Sequence, residues 1–178
     1  MLPGRTLFLM AVLTLPAAAA AQRTVPLDHG WQVQTSAMAG TDGVARSTDA
    51  PGPSQWYDAT LPATVGEILR ANRDTDTSAR RFTSPWWFRK VFEIAAPVDG
   101  ERVLLVLEGV SFGAEVYMNG SSLGKVAAFT PGAPSTLIDV TDTLRPYNII
   151  AILVSPSRTA TPDLGIPGPV YLRILPVD

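Results

Sequence analysis

The sequence predicts an all-β fold, an antiparallel β-sandwich of jelly-roll type with one short helix. Three observations predict it. Short apolar or alternating runs recur with turn residues about every 8–12 positions, the spacing of sandwich strands. The 16 prolines and 14 glycines fall between those runs, where they punctuate turns. Asn119-Gly120 separates two strand-like runs, and a two-residue Asn-Gly loop is a strong hairpin signal because a type I′ turn needs positive φ at both positions.

The opening residues stand outside this pattern. Arg5 gives a positive start, "LFLMAVLTLP" is an apolar run and "AAAAAQ" offers small residues, the pattern of a secretory signal peptide over residues 1–21, cut after Ala21. Residues 22–178 are then expected to form one domain. "HGWQVQTS" (29–36) alternates and predicts the first strand. Residues 37–55 are small, polar and rich in Pro and Gly, which predicts a surface loop. "WYDATLPATV" returns to extended backbone, because Pro62 disfavours helix at Leu61. "TVGEILRANR" holds the one predicted helix: Thr64 and Glu67 form a capping box, and Val65, Ile68 and Leu69 share a side.

"RDTDTSARRFTSP" (73–85) is a charged loop, and regular strands follow it. Trp87, Arg89, Val91 and Glu93 alternate with Trp86, Phe88, Lys90, Phe92 and Ile94. Adjacent strand residues point to opposite faces, so only one of Trp86 and Trp87 is expected to plug the sandwich; the other should cover an edge or face another domain. "ERVLLVLEGV" is apolar on both faces, as in a strand covered on both sides. "GAEVYMNG" alternates and runs through Asn119-Gly120 into "SSLGKV"; "STLIDVTDTL", "YNIIAILVS" and "GPVYLRILPV" supply the later strands. In "DVT", Asp139 can accept the N–H groups of the following turn.

Composition excludes several classes. The formal charge is −2, and loss of Arg5 takes it to −3, so no basic footprint for nucleic acid is present. The sequence has no Cys, so it can form neither a disulfide nor a thiolate metal site. Export without cysteine predicts a periplasmic or secreted protein. No segment after the leader has the roughly 18 apolar residues of a membrane span. No cofactor motif occurs.

The order of the motifs carries a resemblance. "WYDATLPATVGEIL", "PWWFRKVFEI", "LEGVSFGAEVYMNGSSLG", "IDVTDTL", "AILVSPS" and "GIPGPVYL" follow one another across nearly the whole predicted domain. This arrangement resembles the N-terminal sugar-binding domain of glycoside hydrolase family 2, in its β-mannosidase and exo-β-glucosaminidase branch. The resemblance implies a galactose-binding-like jelly roll. It also implies that the two catalytic glutamates belong to a separate barrel, and a barrel of about 250 residues exceeds this sequence of 178. Two departures fall in the loops that shape a sugar pocket in that branch: residues 73–85 lack its Asp-Pro, and Pro167 stands where its Trp would be.

The sequence therefore assigns no catalytic residue. Glu93, Glu101, Glu108 and Glu115 lie on strands or strand ends, where charged groups are mostly solvated. His29 is the only histidine, and no nucleophile motif accompanies it. Asp74 and Asp76 look like a fragment of a calcium loop, but the glycine and distal glutamate are missing, so no metal is assigned. Aromatic rings stack on the C–H faces of sugars, which makes Trp56, Tyr57, Trp86 and Trp87 candidates for carbohydrate contact. Arg89, set among aromatics, joins them, since a guanidinium can stack on a ring and bridge to a carboxylate. Asn119, Gly120 and Asp139 are expected to be structural turn residues. Three readings stay open. The chain is a non-catalytic exported carbohydrate-binding module, a truncated or split hydrolase partnered by a glycosidase barrel, or a β-sandwich that binds protein.

Overall fold

Alternation of side chains builds two facing sheets. The computed structural model describes residues 22–48, 55–76, 78–98, 100–156 and 158–176; the expected leader, residues 1–21, lies outside them, as do residues 49–54 of the expected surface loop. One sheet contains β1 (Arg23–Pro26), β12 (Val170–Pro176), β6 (Glu101–Leu107) and β9 (Thr136–Asp139), in that order. The other runs β3 (Tyr57–Ala59), β2 (Trp31–Thr35), β5 (Trp86–Glu93), β10 (Tyr147–Val154), β7 (Ala114–Met118) and β8 (Ser121–Val126). A two-stranded ribbon pairs β4 (Ala63–Thr64) with β11 (Gly165–Ile166). All of these pairings are antiparallel, so the predicted β-sandwich is the fold observed.

The core lies between the sheets. The larger sheet contributes Trp31 and Val33 from β2, Trp86 and Phe88 from β5, Ile150 and Ile152 from β10, and Val116 and Met118 from β7. The smaller sheet contributes Val103, Leu105 and Leu107 from β6 and Val170, Leu172 and Ile174 from β12. Burying a large apolar side chain gives about 1.5–3 kcal/mol, so this period-2 set dominates the stability and fixes the register.

Three elements differ from expectation. The predicted first strand is the second: β1 precedes it and pairs Arg23 with Ile174 and Val25 with Leu172 on β12. Four residues beside the expected leader were too few to show a period. The strand predicted to end at Ser36 ends one residue earlier, where the Thr35 hydroxyl accepts the Met38 N–H and opens α1 (Ser36–Ala39). The predicted loop then forms a second single turn, α2 (Gly43–Arg46), capped by Asp42 on the Ala45 N–H. Polar caps rather than apolar periodicity set both turns, so only α3 (Val65–Ala71) was predicted. In α3 the expected capping box is complete: Glu67 N donates to Thr64 Oγ1 at 3.3 Å, and Thr64 N donates to Glu67 Oε2 at 2.8 Å. A 3-10 turn, Ala79–Phe82, leads into β5.

The strap formed by residues 36–48 explains the tryptophan pair. Trp86 and Trp87 point to opposite faces and both are completely buried; only Trp86 plugs the sandwich, as expected, whereas Trp87, expected to cover an edge or face another domain, is covered by the strap instead. Trp86 enters the main core, and Trp87 sits with Ala39 and Ala151 in a second cluster on the outer face of the larger sheet. The strap crosses that face. Trp87 Nε1 donates to Gly40 O at 2.7 Å, and Trp86 Nε1 donates to Arg81 O at 3.0 Å, so neither buried indole N–H is orphaned.

Candidate functional site

Five side chains were singled out for carbohydrate contact, and the structure separates them. Trp86 and Trp87 are withdrawn from the surface. Arg89 reaches under the strap and donates to Arg46 O at 3.1 Å and Thr48 O at 3.3 Å, which fastens the strap to β5. Trp56 and Tyr57, both half-buried, line one cleft of about 960 Å³ at the end of the larger sheet. That volume lies in the usual range for a small-molecule site.

Three segments converge on the cleft. The end of β2 and the start of α1 bring Gln34 and Met38, the approach to β3 brings Trp56 and Tyr57, and residues within 72–76 and 78–84 complete the lining. Three groups form a fixed cluster there. Tyr57 OH donates to Asp74 Oδ2 at 2.6 Å, Arg81 Nη1 donates to the same oxygen at 2.7 Å, and Arg81 Nη2 donates to Tyr57 OH at 2.8 Å. The Asp76 N–H donates to Asp74 Oδ1 at 3.0 Å, so both carboxylate oxygens are held. The Arg81 guanidinium carbon lies 5.8 Å from the Tyr57 ring centroid and 5.9 Å from that of Trp86, within cation–π range.

These contacts set the protonation states. The Tyr57 hydroxyl, then Arg81, then the Asp76 N–H stabilise the Asp74 carboxylate and lower its pKa to about 2. Burial, reinforced by the bond to Asp74, raises the Tyr57 phenol above its ordinary value. The Ser78 N–H lowers Asp76. At neutral pH the cleft therefore presents two ionised carboxylates and a protonated phenol.

Sequence reasoning missed Asp74 and Arg81 as site formers. "RDTDTSARR" showed charges of both signs, but Tyr57, which organises them, lies 17 residues from Asp74 in the chain. The loop that departs from the resembled pocket sequence is thus the one that walls the cleft.

The turn residues stand where expected. Asn119 at φ +51° and Gly120 at φ +82° form the two-residue connection of the β7–β8 hairpin. The Asn119 amide donates to Thr143 O and Asn148 Oδ1 and accepts from the Ile149 N–H, joining three segments. Asp139 Oδ1 accepts the Thr141 N–H at 3.0 Å, the anticipated turn, and Asp139 Oδ2 accepts from Arg102 Nε at 2.7 Å.

Residues 31–163 match the family described as glycosyl hydrolase 2 galactose-binding domain-like. The chain belongs to this family. Its similarity to other galactose-binding-like members follows the branch that the motif order suggested. A mannosylglycoprotein endo-beta-mannosidase of Lilium longiflorum is 30% identical over 151 residues, which cover 73% of this chain and 15% of that protein. An exo-beta-D-glucosaminidase of Streptomyces avermitilis is 27% identical over 140 residues, covering 72% of this chain and 15% of that one. The crystal structure of Amycolatopsis orientalis exo-chitosanase CsxA superposes with a TM-score of 0.72 at 24% identity, over 85% of this chain and 20% of that one. A Bacteroides uniformis beta-glucuronidase gives 0.65 at 20% identity, over 88% and 18%. Such structural likeness establishes the shared fold. The chain spans 15% of the length of the two curated relatives.

Proposed function

We propose that this galactose-binding-like domain is an exported, non-catalytic carbohydrate-binding module, with glycosidic bond cleavage belonging to a barrel outside these residues. The observation that carries the reading is the cleft that brings together Trp56, Tyr57 and the fixed Asp74–Arg81 pair. Half-buried rings beside rigid donors and acceptors suit a sugar, which offers apolar C–H faces and hydroxyls together. The relatives are named for activity on mannosyl and glucosaminyl bonds, which favours a glycan as ligand. The acids in the cleft favour a non-catalytic role. A glycosidase needs one carboxyl kept protonated by a raised pKa, and here Asp74 and Asp76 are both lowered. Export rests on the leader pattern of residues 1–21.

Isothermal titration against mannosides, glucosaminides, galactosides and uronides tests the reading. Binding is expected with at least one sugar class, and Trp56→Ala should weaken it about tenfold, or about 1.4 kcal/mol. Absence of heat with every sugar at millimolar concentration overturns it. Turnover of nitrophenyl glycosides by the purified chain, abolished by a single Glu→Gln change, overturns the non-catalytic part. Amino-terminal sequencing of exported material should begin at Gln22.

A further inference from the structure

The cleft carries a charge opposite to that of the chain. Its lining holds Arg73, Arg80 and Arg81 against Asp74 and Asp76, whereas the chain as a whole has a formal charge of −2. The acids are already engaged: Asp74 binds Tyr57 and Arg81, and Asp76 accepts the Ser78 N–H at 2.9 Å. Arg81 is engaged by Asp74 in return. Arg73 and Arg80 are exposed, and neither guanidinium has a hydrogen-bond or ion-pair partner among the described residues. Arg73 also occupies a left-handed conformation, φ +61°, just after the end of α3, where glycine or asparagine is the favoured residue. Two residues with unpaired guanidinium groups thus line the same cleft as Trp56 and Tyr57.

We propose that the cleft binds an anionic sugar unit, its carboxylate or sulfate ester taken by Arg73 and Arg80 while its ring lies against Trp56. This rests on the carbohydrate-binding reading and narrows it to a substrate class. A guanidinium presents paired donors that match the oxygens of a carboxylate or a sulfate, and charge-assisted bonds of this kind are the stronger ones. The same arginines repel the ammonium of a glucosamine unit, so the cleft selects against cationic glycans. Solvent-exposed charges act within a Debye length of about 8 Å at physiological ionic strength, so the preference is salt-sensitive.

The test titrates the full chain with four tetramers, of galacturonate, of sulfated galactose, of mannose and of glucosamine, at low and at physiological salt. An acidic tetramer should bind at least about tenfold more tightly than the mannose tetramer at low salt, with the glucosamine tetramer weakest. The advantage should shrink as salt rises. The double variant Arg73→Gln/Arg80→Gln should lose the acidic preference while keeping its melting temperature and its affinity for mannose. Trp56→Ala should weaken all of the tetramers together. Stronger binding of galacturonate assigns the anion as a carboxylate, and stronger binding of the sulfated tetramer assigns a sulfate ester; either supports the proposal. Equal affinity for neutral and acidic tetramers overturns it while leaving the carbohydrate-binding reading standing, as does a preference that survives in the double variant. Failure of all four to bind overturns both.

Discussion

At the residue scale, two polar side chains serve as fixed points for their surroundings. Asp74 sits below its ordinary value of 3.8, at about 2, so it stabilises the folded chain fully above pH 3.8, and that contribution is lost as pH falls through about 2. The carboxylate is partly exposed, which reduces the effect, and Asp74→Asn is expected to cost about 1 kcal/mol at pH 7. Urea unfolding checks this: the gap between wild type and variant should close towards pH 2. Asn119 combines a left-handed backbone with three amide hydrogen bonds. Asn119→Gly keeps the turn and loses the bonds, at about 1–2 kcal/mol, whereas Asn119→Ala also strains the backbone and should cost about 2–3 kcal/mol. Unfolding free energies should therefore rank wild type above Gly and Gly above Ala.

At the element scale, the strap decides what the larger sheet shows to its surroundings. It is held by Arg89 on two carbonyls, by the Gly120 N–H donating to Ser47 Oγ at 3.1 Å, and by Gly43 lying flat on the Tyr117 ring. A Cβ at Gly43 would stand 2.3 Å from Tyr117 Cζ, and that ring is fixed by an edge contact with Trp87 and a bond to Glu115. Gly43→Ala should cost about 1–3 kcal/mol by overpacking and increase quenching of Trp87 fluorescence by acrylamide. The strap also shows where sequence reading stops. Period-2 alternation exposed β5 and β7, because burial of one face repeats at a fixed interval, and short continuous apolar runs exposed β6 and β10. Two one-turn helices held by single caps have no period to detect, so neither the burial of Trp87 nor the role of Arg89 was legible. The cleft was half legible for the same reason: Trp56 and Tyr57 stand out by type, whereas Arg81 acquires its place only when the chain brings residues 57 and 74 together.

At the scale of the whole molecule, the β6–β12 pairing of the smaller sheet runs on past its strands into a tight approach of two glycines. Gly109, after β6, and Gly168, before β12, lie back to back, and a Cβ at Gly168 would meet Gly109 N at 2.3 Å and Glu108 C at 2.7 Å. Those are main-chain atoms with no rotamer to yield, so Gly168→Ala should destabilise by about 3 kcal/mol or more, lowering the thermal midpoint without changing the far-ultraviolet spectrum at low temperature. The pairing of β1 with β12 has another effect. Arg23 lies opposite Ile174, so the opening and closing strands meet side by side on one rim. A short peptide joining residues 176 and 23, with new termini cut in the exposed turn near Gly132, should give a circular permutant that folds and keeps its cleft. A polypeptide wired in this way can be spliced into a longer one as a cassette, entering and leaving through a single doorway.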